Sequence, residues 1–283
     1  MLRKVAILFV IAGLASPLAA CSQKSGTSAS TTAESSTGAA PAGAGITVAG
    51  STALLPLVKQ AAVDYQAKNP NAKISVSGGG SRVGITQAAQ KGVDIGNSDI
   101  PAPDEPSLVD HEVAVVPFAV VVNPASGVKN LTKAQIVQIF SGKVTNFKSV
   151  GGADQAITII NRPRSSGTRA VFVKTFMNGQ QPTEGGSTQD SSGTVAAMVG
   201  QTPAAISYVA KSYVKPPLVA ASVDGVAATD DNVKSGKYPF WSYEHMFTNG
   251  QPSKDVADFI DFVKNDKTAL TALGFIPISE MKK

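Results

Sequence analysis

The stretch that decides the fold is Arg162-Pro163-Arg164-Ser165-Ser166-Gly167-Thr168-Arg169. The β-branched run Ile157–Ile160 before it predicts a buried strand, and the amphipathic run Ala170–Phe176 after it predicts a helix. Hydroxyl side chains are favoured where a helix leaves its first N–H groups unpaired, and Gly167 lets the backbone approach a bound group closely. With Arg162 at the strand end, amides, hydroxyls and a guanidinium would converge, which favours a small oxyanion. The alternative is an ordinary capped helix flanked by solvated arginines.

The same order of strand, Gly/Ser turn and helix occurs twice more. Ile46–Ala49 precedes the turn Gly50-Ser51-Thr52, and Lys73–Ser77 precedes the turn Gly78-Gly79-Gly80-Ser81, each followed by a predicted helix. Strands and helices alternate along the rest of the chain, which predicts an α/β fold with a mainly parallel sheet. Ligands bind beyond the carboxyl ends of such strands, so three helix N-termini would add their positive dipole ends at one site.

The beginning of the chain predicts export. Basic residues precede the apolar run Val5–Leu14, which is too short to span a bilayer, so residues 1–20 are predicted to be a signal peptide. Leu18-Ala19-Ala20-Cys21 resembles the bacterial lipobox, in which the cysteine is acylated and becomes the new N-terminus; a cleaved signal with a free thiol is the alternative. Residues 21–45 are almost entirely Ser, Thr, Ala, Gly and Pro, and predict a flexible tether.

Composition excludes several classes of function. The 283 residues, 43% of them hydrophobic, suffice for one large or two medium domains. The net charge of +5 is spread along the chain without a basic run, so nucleic acid is not an expected partner. Cys21 is the only cysteine, and His111 and His245 are the only histidines, so we expect no disulfide, no metal site and no cofactor.

Five segments resemble, in order and spacing, the phosphate-binding lipoproteins of the bacterial high-affinity phosphate ABC transporter. They are Gly50-Ser51-Thr52, Gly80-Ser81, Ser98-Asp99, Leu131–Lys143 and Arg162–Arg169. The resemblance covers about Ile46 to Lys283 and implies the type II periplasmic-binding-protein fold. In that fold two α/β lobes, each with a central mixed sheet, are joined by two crossover segments around a ligand cleft. Residues 46–119 plus 242–283 would form lobe 1, and residues 120–241 would form lobe 2.

The resemblance also implies a site and partners. The chain would be a solute-binding protein that captures inorganic phosphate and delivers it to the membrane permease subunits of an ABC importer. Acyl chains such as palmitate on Cys21 would anchor it as a monomer to the outer face of the cell membrane, or to the periplasmic side of an envelope membrane. The phosphate-binding residues implied are Ser51, Thr52, Ala53, Ser81, Asp99, Arg162, Ser166, Gly167 and Thr168.

Asp99 bears on which anion is bound. A carboxylate repels a bound anion unless the ligand carries a proton that the carboxylate can accept. Phosphate keeps a hydroxyl near neutral pH and sulfate has none, so Asp99 would reject sulfate. A turn or helix-capping aspartate is the alternative role, and a binder of sulfate or molybdate is the alternative function. One departure from the family concerns Arg162: the acidic residue common two places after it is Arg164 here, so another group must orient the guanidinium.

An enzyme is a further alternative. Ser126-Gly127-Val128-Lys129 fits the S-x-x-K motif of acyl-transfer enzymes, and Lys234-Ser235-Gly236 is similar to their K-T-G motif. The two stretches lie too close together, and no S-D-N stands between them, so we expect no catalytic residues. No Gly-Lys-Ser/Thr follows the glycines of the Gly78–Gly80 turn, which excludes a P-loop, and the turn does not fit G-x-G-x-x-G.

Overall fold

The structure, a computed structural model, describes residues 45–282. The predicted signal peptide, Cys21 and all but the last residue of the predicted tether lie outside the described residues. Between residues 45 and 282, no helix is both long enough and apolar enough to cross a membrane.

The described residues form a mixed sheet of ten strands. The strands are Ile46–Gly50 (β1), Ile74–Val76 (β2), Ile95–Ser98 (β3), Leu108–Val122 (β4), Asn130–Leu131 (β5), Thr158–Asn161 (β6), Ser187–Thr188 (β7), Ala205–Ala210 (β8), Val219–Val223 (β9) and Trp241–Asn249 (β10). Their order in the sheet is β2-β1-β3-β10-β4-β8-β6-β7, with β9 also pairing β4 and β5 pairing β9.

Strand β4 joins two halves of the molecule. Its residues 108–117 pair with β10, and its residues 118–122 pair with β8 and β9. Pro117, which has no N–H to donate, lies where the partners change. We call β1, β2, β3 and β10, with the helices that cover them, the first half, and β5–β9 with their helices the second half.

Eight α-helices cover the sheet within the described residues. They are Leu55–Lys68 (α1), Ser81–Ala89 (α2), Lys133–Phe140 (α3), Gly167–Phe176 (α4), Ser192–Gln201 (α5), Asp230–Lys234 (α6), Lys254–Asn265 (α7) and Lys267–Ala272 (α8). Helix α3 begins with a capping box between Thr132 and Gln135, and α7 begins at the Ser253 cap. Helices α1, α2, α7 and α8 belong to the first half, and α3, α4 and α5 to the second.

The apolar core runs through both halves. Val113–Val122 contributes an almost unbroken buried run at the centre of the sheet. In the second half the ring of Phe172 on α4 stacks on Tyr208 of β8, with 4.1 Å between ring centroids, and meets Phe140 of α3 edge-on. This packing fixes the start of α4 against the end of β6, where the decisive stretch lies.

The expected mainly parallel sheet is wrong at the centre of the molecule. Parallel pairs join β1 to β2 and β3, and β6 to β7 and β8, but β4 and β10 run antiparallel to their neighbours. The sequence pattern did not predict β10, because Trp241–Asn249 mixes polar and apolar residues without a clear period of two. The sheet is therefore mixed, as the family resemblance implied.

Candidate functional site

The structure brings the implied ligand residues of both halves to one buried point. The first half contributes three segments. They are the turn after β1 (Ser51, Thr52 and Ala53), the first residue of α2 (Ser81) and the residue after β3 (Asp99). From the second half come Arg162 after β6 and the start of α4, with Ser166, Gly167 and Thr168. None of these residues is more than 5% exposed where its exposure is given, and Gly167 is buried as well.

Asp99 is held by hydroxyl groups from both halves. Ser51 Oγ donates to Asp99 Oδ1, and Thr168 Oγ1 donates to Asp99 Oδ2 at 2.8 Å. The Asp99 amide in turn donates to Ser81 Oγ at 2.9 Å. Ser51 Oγ also accepts the amides of Ala53 and Leu54, so it stabilises the turn before α1 as well. The carboxylate therefore has a fixed position at the meeting point of the halves.

Arg162 is the buried cation of the site. Its Nη2 donates to Thr52 Oγ1 and to the Asp190 carbonyl, both at 3.1 Å, and its Nη1 donates to Ser192 Oγ at 3.2 Å. Its buried Nε has no hydrogen-bond partner among the described residues. Burial lowers the pKa of Arg162 from its ordinary value and the charge of Asp99 raises it, but a guanidinium remains protonated at neutral pH. Neutral oxygens thus replace the acidic partner that the family often has.

The start of α4 approaches the first half so closely that only glycine fits at position 167. A Cβ there would lie 2.7 Å from Ser81 Cβ and 2.9 Å from Asp99 Cβ. The backbone amide of Arg82 also donates to the Ser165 carbonyl at 3.1 Å across the same contact. Gly80, which precedes α2, has a φ of +93°, a conformation that favours glycine. The glycines of both turns are therefore required by the geometry of the contact.

Sequence analysis missed Ser192, which lies at the centre of the site. It is fully buried, its amide donates to Thr52 Oγ1 at 3.2 Å, and its hydroxyl meets Thr52 Oγ1 at 3.3 Å. A signal was present in the sequence, because Ser191–Thr194 repeats the tetrapeptide Ser-Ser-Gly-Thr of Ser165–Thr168. In the earlier tetrapeptide the second serine, Ser166, caps α4, whereas in the later one the first serine, Ser191, caps α5. The one-residue shift leaves the Ser192 hydroxyl free to face Arg162.

Tyr213 is a second residue that sequence analysis missed. Its hydroxyl donates to the Thr52 carbonyl at 2.8 Å and thereby joins the second half to the first. Burial raises the pKa of Tyr213 to about 12, so the hydroxyl keeps its proton at neutral pH. No sequence motif surrounds Tyr213 that could have indicated this role.

The two other arginines of the decisive stretch do not face Asp99. The side chain of Arg164 is 74% exposed and lies 3.7 Å from Glu184. Arg169 is buried, donates from Nη1 to the Arg162 carbonyl at 2.6 Å, and is held on its other side by Gln181. Arg169 therefore supports the backbone that carries Arg162, and Arg164 belongs to the protein surface.

A positively charged pocket opens beside the site. It has a volume of about 710 Å³ and lies where Arg82 of the first half faces the α4 side of the second. Its charged lining residues are Arg82, Arg164, Arg169 and Lys174, and it shares Ser165 with the contact between the halves. Such a charge distribution attracts anions toward the site.

Ser126 and Lys129, the two residues of the S-x-x-K stretch, lie in different environments. Ser126 is buried in a short 3₁₀ turn where its hydroxyl accepts the Val128 amide at 3.2 Å, and Lys129 is exposed. Among residues 45–282, no group of three or more His, Cys, Asp or Glu side chains could hold a metal ion.

Comparison with known sequences gives a consistent family. A family model described as a PBP superfamily domain matches residues 28–267. The phosphate-binding protein PstS of Bacillus subtilis (strain 168) is 42% identical over 99% of this chain and 96% of its own length. The phosphate-binding protein PstS of Borreliella burgdorferi is 27% identical over 77% of this chain and 84% of its own.

Comparison with solved structures gives the same fold. A Clostridium perfringens protein assigned as a phosphate ABC transporter substrate-binding protein, with bound phosphate, superimposes with a TM-score of 0.79 and 28% identity. It covers 83% of this chain and 100% of its own. An ABC-type phosphate transport receptor from Vibrio cholerae has a TM-score of 0.67 and 26% identity over 82% of this chain and 99% of its own.

Proposed function

The chain belongs to the family of PstS phosphate-binding proteins, and we propose that it captures inorganic phosphate between its two halves for delivery to an ABC importer. The fold is the two-lobed α/β fold of the type II periplasmic binding proteins. The convergence of Asp99, Arg162 and the α4 start on one buried point carries the proposal. A ligand held by groups from both halves favours the closed arrangement, which a permease can distinguish from an open one.

We place the lobe boundaries at the points where the strand pairing changes from one half to the other. Lobe 1 comprises residues 46–119 plus 242–283, and lobe 2 comprises residues 120–241. The change of β4 partners between Pro117 and Phe118 supports the first boundary. The start of β10 at Trp241, opposite Pro117, supports the second.

Phosphate recognition uses charge, dipoles and a proton acceptor. Arg162 supplies the positive charge, and α4 directs its N-terminal amides and the Thr168 hydroxyl toward the ligand. In the structure the hydroxyls of Thr52, Ser192 and Thr168 bond to groups of the opposite half. On binding, these short polar groups exchange their partners for the oxygens of the anion. Ser51, Ala53, Ser81, Ser166 and Gly167 complete the ligand shell.

Asp99 makes the site selective. It accepts the hydroxyl of a protonated phosphate, whereas sulfate leaves the carboxylate charged and opposed to another anion. Asp99 therefore favours phosphate over sulfate and molybdate, the rival ligands. The chain carries out no reaction on its ligand.

The chain acts outside the cytoplasm as a monomer, anchored through acylated Cys21. The Leu18-Ala19-Ala20-Cys21 segment supports this, although it lies outside the described residues. We expect Cys21→Ser to release the protein from the membrane, as measured by fractionating cells that express each form. A variant that still sediments with membranes would contradict the lipid anchor.

The direct test of function is calorimetry on the purified protein with phosphate, sulfate and molybdate at neutral pH. We expect tight binding of phosphate at one site per chain, and binding of sulfate and molybdate weaker by orders of magnitude. Equal affinity for sulfate would overturn the assignment to phosphate, and the absence of heat with all three anions would overturn the function. Incubation with a β-lactam followed by mass spectrometry tests the enzyme alternative, and an adduct at Ser126 would revive it.

A further inference from the structure

Glu244 is a buried carboxyl group that the proposed site does not use. It lies on β10 in the first half and has no exposed surface. Neither of its two side-chain oxygens has a hydrogen-bond partner among the described residues. A buried, unpartnered carboxylate is among the costliest groups a protein can hold, so this position calls for a physical explanation.

The strand register puts Glu244 beside Asp99. Strands β3 and β10 are antiparallel, with His245 opposite Ser98 and Met246 opposite Asn97. Glu244 and Asp99 are the next residues of the two strands beyond this pairing, and the charge and side-chain contact of Asp99 both act on the pKa of Glu244. The Ser242 hydroxyl, which donates to the Asp99 carbonyl at 2.7 Å, keeps β10 against the Asp99 loop.

Helix α2 packs against β10, its buried residues are uncharged, and its one charged residue, Arg82, is exposed. On the other side of β10, Ala114 of β4 lies opposite Glu244. The neighbouring His245 bonds to Asp110, and burial lowers the pKa of His111 on β4, against the opposite effects of Asp110 and Asp261. Burial raises the pKa of Glu244 well above its ordinary range, and the negative charge of Asp99 raises it further. The charge of Asp99 also raises the pKa of Arg162 in the other half.

We propose, on the premise of the phosphate-binding function above, that Glu244 is a positioning residue that sets the charge behind the bound anion. As a neutral acid it adds no second negative charge beside Asp99, and Asp99 can accept the phosphate hydroxyl. When Glu244 loses its proton at high pH, two carboxylates stand behind the anion and phosphate is repelled. Both carboxyl groups belong to the first half, so the pair persists when the halves separate.

The test compares wild type with Glu244→Gln, which keeps the shape and removes the ionisation. Phosphate dissociation constants are measured by calorimetry between about pH 6 and pH 10. The titration of phosphate itself is common to both proteins and cancels in their ratio. We expect the ratio of wild-type to variant dissociation constants to be near one at the acid end of this range and to rise at least about tenfold toward the alkaline end. A ratio that stays constant with pH would overturn the proposal.

A second readout separates titration from a purely structural role. Calorimetry in buffers of different ionisation enthalpy counts the protons taken up when phosphate binds. At high pH we expect wild type to take up more protons than Glu244→Gln, because phosphate returns the proton to Glu244. Glu112→Gln, a change on the exposed face of neighbouring β4, is the matched control and should behave as wild type. Equal proton uptake in wild type and Glu244→Gln would count against the proposal.

The experiment also separates a folding defect of the variant from a failure of the proposed function. If Glu244→Gln does not fold, Glu244→Met fills a similar volume without a titrating group and should give the same flat pH profile. Wild-type protein that fails to bind phosphate at neutral pH would overturn the proposed function itself. Wild-type binding with a pH-independent ratio would overturn only the role of Glu244.

Discussion

The two halves of the molecule bring opposite charges to the same point and hold them in different ways. Asp99 of the first half is held by the hydroxyls of Ser51 and of Thr168 from the second half, and a second carboxyl, Glu244, is buried on the neighbouring strand β10. Arg162 of the second half is held by neutral oxygens from Ser192, a backbone carbonyl and Thr52 of the first half. If the proposed function holds, the second half supplies attraction for any anion, whereas the first half decides which anion is accepted.

The largest effect should come from removing the cation of the second half. Arg162→Ala leaves Asp99 and the ligand without a positive partner, and truncating such a buried group costs about 2–5 kcal/mol, roughly 30- to 5,000-fold in phosphate affinity. Arg164→Ala is the control, because this side chain is 74% exposed. Calorimetry should show the loss for the first variant alone. Near-normal binding by Arg162→Ala would mean that the second half does not supply the attraction.

Changing the carboxylate of the first half should alter selectivity. Asp99→Asn removes the charge that opposes sulfate and the acceptor that phosphate uses, so the ratio of phosphate to sulfate affinity should fall by about 10- to 100-fold, or about 1–3 kcal/mol. Asp110→Asn, at a half-exposed carboxylate of the same sheet, should leave the ratio unchanged. Competition titration with both anions measures it. An unaltered ratio in Asp99→Asn would remove the discriminating role from the first half.

The contact between the halves can be weakened without removing either charge. Gly167→Ala introduces a Cβ only 2.7 Å from Ser81 Cβ, which the closed arrangement cannot accept without a shift. Overpacking of this kind costs about 1–3 kcal/mol, so we expect phosphate affinity to fall roughly tenfold. At Gly92 a Cβ would meet its nearest atom at 3.5 Å, so Gly92→Ala is the control. Full affinity in Gly167→Ala would show that binding does not require this close approach.

The smallest expected effect is on the pH dependence of thermal stability, and it comes from Glu244, the carboxyl group that neighbours Asp99 in the first half. Because burial raises the folded-state pKa of Glu244 above its unfolded value, wild type loses stability as pH rises through the unfolded pKa toward the folded one. Glu244→Gln has no such loss, so its advantage in Tm should grow as pH rises above the ordinary pKa of a glutamate, about 4.3. Each unit of pKa difference corresponds to about 1.4 kcal/mol, or roughly 3–6 °C in a protein of this size. If calorimetry shows a Tm difference that does not depend on pH, Glu244 is not kept protonated by its burial.

Much of the site was visible in the sequence because its parts are local. The turn Gly50-Ser51-Thr52, the residues before α2 and the Arg162–Arg169 stretch each combine a strand end with a helix start. Caps and turns depend on residues only a few positions apart, so their chemistry can be predicted from spacing. The ordered motifs also indicated the family, since five of them occur together.

The residues that escaped prediction are those whose role depends on distant neighbours. Ser192 and Tyr213 meet Thr52 from positions more than a hundred residues away, and β10 is specified by the strands on either side of it. Glu244 would be an ordinary surface carboxyl if β10 were not placed against Asp99. The sequence by itself determined the donors, the turns that present them and the apolar runs of the core. Only the tertiary structure decided which side chains share a point and which are stripped of water, because burial and the pairing of charges arise when distant segments pack together.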